Sequence, residues 1–593
     1  MAQELKTLPV RPGLFTNSTD AEAEGRWKDG DKVRFKNARP EKIGGWVKSS
    51  ENTFLGICRA LIEWQALAKE KYIGLGTHSK LYVWQTGTFY DVTPQGSTGT
   101  LGDDPITTAN TSTTVTIAHT AHGRAVGDYV SFSGATAVGG ITISGEYEVK
   151  TVVDANSYTI THSSAATSTA TGGGASVNYV YLLSSGSSSS IYGYGYGSGA
   201  YGLSTYGTAR TVASILFNLR VWSLDKWGDD MIASPREGAI YLWDKSAGTN
   251  TRAAAISGSP TTARSVFVSQ EDRRIVALGA YNGTTDDPML VRWSDDDDYA
   301  TWTAAATNTA GQKRLTHGNE ILCRIPVRGG DLIQTDNHAT LMTSIGPPHF
   351  YAFLPVGGNG GMMGPNAGIS LDGVAYWMGE NDFFLYDGAI RAFECDVYPT
   401  VFKNINKVQR WKVYAGYNRK FREVWWLYPS ESATECDRYV LYSIDEKVWS
   451  FGTLARTAMV GGSELFTVPF AAGSDGYLYD HETGVDADGS AMTAYIESGD
   501  VDIVDGDSVM HIGKAVPDFQ TLTGSVNITI KGRKYPQDIQ QSSSGPHAVT
   551  ATTKYINPRL RARQASVLIQ SDDMGDHWRF GKIRLELRPD GRR

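Results

Sequence analysis

A short phrase recurs along this chain without a fixed period. An aromatic–aliphatic–aromatic triplet closes a strand-like stretch, often with a small or acidic turn beside it. It reads Leu81-Tyr82-Val83-Trp84, then Ile240-Tyr241-Leu242-Trp243-Asp244, then Phe383-Phe384-Leu385-Tyr386-Asp387, then Gly476-Tyr477-Leu478-Tyr479-Asp480. Successive side chains on a strand point to opposite faces, so each phrase sets two aromatics on one face and aliphatics on the other. Repeated β-units that end in the same aromatic turn predict propeller blades. The irregular spacing predicts blades carrying insertions.

Composition supports an all-β reading. The 593 residues include 30 Tyr, 15 Trp and 65 Gly, a mix that favours strands and tight turns. This length predicts several domains. With 41% hydrophobic and 20% charged residues the chain reads as globular, and no apolar run is long enough for a membrane span. The N-terminus Met1-Ala2-Gln3-Glu4-Leu5-Lys6 lacks an apolar signal core. Cys58, Cys323, Cys395 and Cys436 have no C-x-x-C spacing, which predicts reduced structural cysteines, no zinc knuckle and no disulfide framework. A net charge of -8 excludes a chain that clamps nucleic acid along its whole surface.

Five segments follow from composition and turn signals. Residues 1–95 read as an extended arm, broken by Pro9, Pro12 and Gly13, followed by the first propeller strands. Between Ala60 and Glu70 helix formers abound, but the hairpin just after favours two strands around a turn near Ala66. From 96 to 174 Ser, Thr, Ala and Gly dominate; the strand patterns at 129–132, 145–149 and 156–161 predict an inserted small β-barrel or sandwich, with Gly172-Gly173-Gly174 as its exit hinge. Residues 175–210 are Ser/Gly/Tyr-rich and read as an exposed loop or as one ordered only against a partner. Residues 211–490 read as the propeller core, with one helix at about 400–409 and Pro399 at its start. Residues 491–593 read as a β-rich terminal segment.

Three constellations stand out. Ser571, Asp573, Gly575 and Trp578 fit the Asp-box pattern S-x-D-x-G-x-x-W, a hairpin turn in which Ser and Asp satisfy turn N–H groups, Gly takes φ > 0 and Trp plugs a blade. That role is structural. Asp295-Asp296-Asp297-Asp298 reads as a solvated acidic loop or a Ca²⁺ site, although the EF-hand spacing is absent. Arg559, Arg561 and Arg563 alternate, which predicts one shared strand face. Residues 551–593 hold ten Lys/Arg against five Asp/Glu, a basic stripe suited to pairing between subunits or to DNA contact. No H-E-x-x-H, G-x-S-x-G or P-loop is present, so no catalytic, cofactor-binding or metal-binding residue is assigned.

Several phrases resemble the tail-nozzle proteins of short-tailed bacteriophages (podoviruses), also called tail tubular protein B or packaged-DNA stabilisation proteins. They are Pro12-Gly13-Leu14, Lys32-Val33-Arg34-Phe35, Glu41-Lys42-Ile43-Gly44-Gly45-Trp46, the stretch Trp222 to Pro235, Val291-Arg292-Trp293-Ser294-Asp295, and Trp578 to Glu586. The segment around His122–Phe132 is similar to small β-modules spliced into many phage structural proteins. The nozzle resemblance implies a distorted β-propeller, a homo-oligomeric hexameric ring below a head-to-tail adaptor, transient passage of double-stranded DNA, and tail spikes or fibres outside. It implies assembly in the host cytoplasm and residence in the virion tail, with no enzymatic activity. A ring-forming conduit that retains packaged DNA and passes it on infection is therefore the first expectation, since an acidic lumen lets phosphates slide. The alternative is a receptor- or glycan-binding tail spike, or a sialidase-like glycoside hydrolase.

Overall fold

A computed structural model describes residues 4–20, 22–192, 216–217, 219–358, 360–462, 466–502, 507–538 and 542–591. The fold is all-β and propeller-like, as composition predicted. The chain divides into two compact units, one made of residues 52–324 and 344–352, the other of 1–51, 325–343 and 353–593.

The unit built on 52–324 holds three four-stranded antiparallel meanders. Blade 1 comprises Cys58–Gln65, Lys71–Thr77, Leu81–Gln85 and Thr88–Asp91; the chain turns at Ala66, as expected. Blade 2 comprises Trp222–Trp227, Asp230–Pro235, Tyr241–Trp243 and Ala254–Ala255, and blade 3 comprises Ser265–Ser269, Arg274–Leu278, Leu290–Trp293 and Gly311–Arg314. Trp64, Tyr72, Leu81 and Val83 of blade 1 pack in one core with Trp222, Met231 and Trp243 of blade 2. Glycine is required here: a Cβ on Gly74 would lie 2.4 Å from the Met231 sulfur, and one on Gly76 2.6 Å from the Trp222 ring. Blade 4 (Ile321–Val327, Gly330–Thr335, His338–Gly346, Phe350–Gly358) has residues in both units.

The other unit holds blade 5 (Gly368–Leu371, Val374–Met378, Phe383–Tyr386, Ile390–Phe393), blade 6 (Tyr414–Asn418, Glu423–Tyr428, Arg438–Ser443, Val448–Thr453) and blade 7. Blade 7 takes Arg456–Val460, Phe470–Gly473 and Leu478–His481 from the late chain and its outer strand, Trp46–Lys48, from the early chain. Phe383 lies 4.7 Å from Trp426 and 4.6 Å from Trp449, centroid to centroid, so tilted aromatic contacts join blades 5 and 6. The recurring phrases all occupy third strands, in blades 1, 2, 5 and 7. A third strand is paired on both edges and covered on both faces, so Leu81, Tyr82, Val83 and Trp84 are all buried. The expected split is kept, with both faces buried: Leu81 and Val83 face the core shared with blade 2 without Tyr82 and Trp84, and Tyr241 and Trp243 face that core while Leu242 packs on the opposite side. The helix expected at 400–409 is an α-turn, Tyr398–Phe402, followed by a 3₁₀ segment, Lys407–Lys412. The Asn406 side chain accepts the N–H groups of Val408 and Gln409, and this local bond starts a new turn where a continuous helix would need backbone acceptors.

Both chain ends meet in one β-sandwich. Its first sheet orders Val33–Lys36, Arg39–Lys42, His577–Pro589, Met510–Thr523 and Leu560–Ala562, with Glu4–Thr7 also on His577–Pro589. Its second orders Trp27–Asp31, Ala494–Ser498, Gln564–Ser571, Val526–Arg533 and Ser542–Val549, with Val501–Asp502 also on Gln564–Ser571. Alternate residues of Val526–Arg533 are buried, and Trp27 of one sheet meets Phe580 of the other edge-on at 5.9 Å. The N-terminal arm is therefore no separate appendage. It supplies strands that pair with the C-terminal segment and bury their apolar side chains against it.

Arg34, on the first sheet, is buried to 1% exposure. Its Nε donates to Glu423 Oε1 at 2.8 Å and its Nη1 to Glu482 Oε2 at 2.8 Å, while the Phe421 ring covers it at 3.7 Å. Burial pushes Glu423 up to about 7, against the pull of Arg34. Burial also raises Glu482, but Arg34 and the Gly44 N–H outweigh it and hold that carboxyl below its ordinary value. Arg34→Met strands two buried carboxylates, so it should destabilise the unit by about 3–5 kcal/mol in chemical denaturation. A loss under about 1 kcal/mol would show that the cluster carries no structural weight.

Candidate functional site

Between blades 1 and 2 the chain builds a separate module. One sheet orders Gln95–Thr100, Asn178–Leu182, Tyr129–Ser133 and Gly145–Glu148; the other orders Thr151–Asp154, Ser157–Thr161, Thr114–Ala118, Ile106–Thr108 and Ala170–Gly172. Ile106, Val115, Ile117, Val130, Phe132, Tyr158, Ile160 and Tyr181 form a core shared by both sheets. The expected boundary at 174 moves outward, because Asn178–Leu182 pairs with both Gln95–Thr100 and Tyr129–Ser133. Gly173 and Gly174 form a turn inside the module, where φ is +113° and +78°. Half of the Ser/Gly/Tyr-rich stretch, residues 193–210 with Tyr194 and Tyr196, lies outside the described residues; Ile191–Tyr192 pairs with Leu216–Phe217.

Alternation on Asn178–Leu182 puts Tyr179 and Tyr181 on one face, with ring centroids 4.9 Å apart. His119 follows the strand Thr114–Ala118 and sits 4.5 Å from the Tyr179 ring, and its Nδ1 is 2.7 Å from the Tyr181 hydroxyl. Tyr181 donates onward to the Tyr158 hydroxyl at 3.1 Å. The Arg124 guanidinium covers the Tyr181 ring at 4.6 Å and donates to the His122 carbonyl at 3.1 Å. His122 Nδ1 accepts the Arg124 N–H at 2.9 Å and its Nε2 lies 3.0 Å from the Asp154 carbonyl, a pairing that suits the neutral Nε2–H tautomer. Burial first, and the charge of Arg124 with it, push His119 below its ordinary value, so it stays neutral at neutral pH. Burial raises Tyr181 to about 12. Tyr158, Tyr181 and His122 are buried supports, whereas His119, Arg124 and Tyr179 remain half-buried at the surface. The result is a held aromatic platform with a cation at its edge, able to stack a sugar ring and pair an acidic group.

The module is fastened to the blades of its own unit by charge. Lys80 Nζ pairs with Asp91 at 2.7 Å and with Glu146 of the module; Arg252 pairs with Asp91 at 3.0 Å and Glu146 at 3.4 Å. Burial raises Asp91, but Lys80 and Arg252 outweigh it and hold the carboxyl below its ordinary value.

The residues singled out from sequence fall elsewhere. Ser571, Asp573, Gly575 and Trp578 form the corner between the two sandwich sheets, not a blade hairpin. Trp578 is fully buried and its Nε1 donates to Ser571 Oγ at 3.1 Å; Gly575 has φ +79°. The carboxylate that holds the turn is Asp576: it accepts the N–H groups of Asp573 at 3.1 Å and Ser525 at 2.9 Å. Arg559, Arg561 and Arg563 do not share a strand face. Arg559 lies off the strand at φ +50°, Arg561 pairs with Asp590 at 2.6 Å, and Arg563 donates to the Asp507 carbonyl at 3.4 Å. Asp295 and Asp298 turn inward onto the N–H groups of Thr309 and Ala300, so these carboxylates cap their own loop. Among the described residues no cluster of three or more metal-ligating side chains occurs, and the four cysteines are buried with no disulfide between them. Sequence reasoning passed over His119, Arg124, Tyr179 and Tyr181; the Tyr-x-Tyr alternation and the 119/122/124 spacing were the available signal.

The β-barrel domain of bacteriophage endosialidase matches residues 100–180, which is this module. Among solved structures, Phage phi92 endosialidase is similar at 12% identity, over 83% of this chain and 76% of its own, with a TM-score of 0.21. A structure titled YCF48 bound to D1 peptide is similar at 8% identity, over 66% of this chain and 97% of its own, with a TM-score of 0.28. No curated protein matches. The module match overturns the expectation of a DNA-conducting nozzle ring. The phrases behind that expectation have structural roles here: Trp222–Pro235 forms two strands of blade 2, and Trp578–Glu586 lies in a sandwich strand.

Asp576→Ala should cost about 2–3 kcal/mol by stranding two turn donors, and Asp573→Ala less than about 1 kcal/mol; thermal melts of both variants check the order. Asp91 has a folded value below its unfolded one, so its contribution is whole above about pH 4 and is lost as pH falls through the folded value. Stability between pH 5 and pH 3 should therefore fall more steeply for the native chain than for Asp91→Asn. Parallel curves would remove Asp91 from the fastening.

Proposed function

We propose that this protein is a virion tail-associated component of a bacteriophage that binds a host-surface glycan through His119, Arg124 and Tyr179. The observation that carries the reading is that the segment matching an endosialidase β-barrel also presents an aromatic platform edged by a cation. A sugar ring has an apolar face that stacks on aromatic rings, and a guanidinium pairs bidentately with a carboxylate. An acidic glycan of the sialic-acid class suits both groups. The proposed activity is binding without hydrolysis. The proposed face, His119, Arg124 and Tyr179, carries no carboxyl of its own. Glycosidase chemistry needs two carboxyls facing a substrate cleft.

Surface plasmon resonance with an immobilised sialic-acid oligomer tests this. Tyr179→Ala and Arg124→Ala should each weaken binding about 5- to 10-fold, from lost stacking and charge-assisted bonding, with little change in melting temperature. Binding that survives the double substitution would move recognition away from this face. Release of reducing ends on incubation with the oligomer would replace the binding reading with the hydrolase one.

A further inference from the structure

The β-sandwich carries two adjoining cavities that no part of the module touches. One is about 650 Å³ and the other about 380 Å³, and Phe15 lines both. Both volumes fall within the rough 300–1,000 Å³ range of small-molecule sites. Their chemistries differ. The larger has an apolar wall of Leu8 and Val501, and the Arg26 guanidinium sits over the Phe15 ring at 4.9 Å. Arg11 also lines it, is exposed, and has no side-chain partner among the described residues. Glu22 and Glu24 stand in the same lining, with Glu22 engaged by the Thr19 N–H at 3.1 Å.

The smaller cavity sets Asp20, Asp29 and Glu497 against Lys28 and Lys531. Its carboxylates are held before any ligand arrives. Glu497 accepts from Lys531 at 2.7 Å and Ser566 at 3.0 Å, and Asp29 accepts from the Gly30 N–H at 2.8 Å and the Tyr495 hydroxyl at 3.1 Å. A carboxylate has about four lone-pair sites, so each keeps acceptor capacity for hydroxyls. Lys28 pairs with Glu497 and Asp20, each at 3.3 Å, and Arg533 with Asp20 at 2.7 Å, so the cations here are engaged by the protein's own carboxylates: the fixed oxygens beside the Phe15 ring suit a hydroxyl-rich ring, and a second anion would meet the Asp29 carboxylate with its neutral donors.

We propose that this pair of cavities is a second carbohydrate site, for an oligosaccharide in which an acidic sugar alternates with a neutral one. The acidic sugar occupies the Arg11/Arg26 side, the neutral ring faces Asp29 and Glu497, and Phe15 stacks between them. The site stands on different residues from the module face and does not depend on it.

Titration of the full-length protein with three tetrasaccharides, followed by saturation-transfer NMR, tests the assignment. The probes are a glucuronate–N-acetylglucosamine tetramer of alternating charge, a uniformly acidic tetragalacturonate, and neutral chitotetraose. The alternating tetramer should bind about 5-fold or more tighter than either of the others: neutral chitotetraose lacks the charge-assisted bond to arginine, and tetragalacturonate sets a second anion against Asp29 and Glu497. Arg11→Gln and Phe15→Leu should each weaken it by about 5-fold, while Tyr179→Ala leaves it unchanged. Arg11 is exposed, so its variant tests the site without disturbing the fold. Equal affinity for all three probes, no binding of the alternating tetramer at 10 mM (roughly the weakest affinity such a site can use), or full binding by Arg11→Gln would each overturn the assignment. Loss of this binding in Tyr179→Ala would place the ligand on the module instead.

Discussion

One buried cation faces two buried carboxylates at Arg34, and the unit around it is arranged to keep that charge satisfied. Arg34 lies on a sandwich strand, Glu423 on the second strand of blade 6, and Glu482 just past the third strand of blade 7. Neighbouring bonds extend the same seam. The Lys32 N–H donates to the Tyr439 hydroxyl at 3.1 Å, and Thr453 donates to Asp31 through its backbone N–H at 2.8 Å and its hydroxyl at 2.6 Å. Fourteen residues on from Lys32, Trp46 opens the strand that completes blade 7. A short early segment thus supplies a sandwich hairpin, a buried charge and a blade edge. Buried ion clusters are costly to desolvate, so their contribution lies less in net stability than in rejecting other registers. Here a slip of one residue would turn Arg34 out and bring Val33 or Phe35 against Glu423.

The face proposed for glycan binding and the blades that carry it occupy different parts of the chain. The blades bury their aromatics in one another, and the sandwich buries Trp27, Trp578 and Phe580 between its sheets. The module keeps Tyr179 and His119 at its surface and has a hydrophobic core of its own. An insertion with its own core can be placed in a loop between blades without disturbing either neighbour, provided its ends lie close together. Gln95 and Leu182 are paired partners at the module's base, which meets that condition. In the proposed reading the inserted face does the binding and the blades of its unit hold it in place.

The elements that were legible in the sequence are those with local causes. Alternating patterns at 81–84, 423–428 and 438–443 became strands, and the change in composition near residue 96 marked a separate β module. Elements with distant causes were misread. The first 50 residues looked like an arm because the strands that pair with Glu4–Thr7 and Trp27–Asp31 lie 464 to 583 positions later. The S-x-D-x-G-x-x-W pattern placed a turn correctly but credited Asp573, when the adjacent Asp576 reaches Ser525 on another strand. The alternation of Arg559, Arg561 and Arg563 suggested a stripe, but the left-handed φ at Arg559 breaks the strand there.

By itself the sequence determined that this chain is all-β, built of repeated aromatic-closed units and interrupted by a compositionally different module. Those properties follow from periodicity and turn residues, which act over a few residues. Only the tertiary structure decided that both chain ends share one sandwich, that Arg34 serves two glutamates, and that His119, Arg124 and Tyr179 meet on one surface. His119 and Tyr179 are 60 residues apart, and their rings come within 4.5 Å because Thr114–Ala118 and Asn178–Leu182 pack around one core. No local rule encodes that approach: it comes from burying the apolar faces of two sheets against each other, which places the residues at their rims side by side.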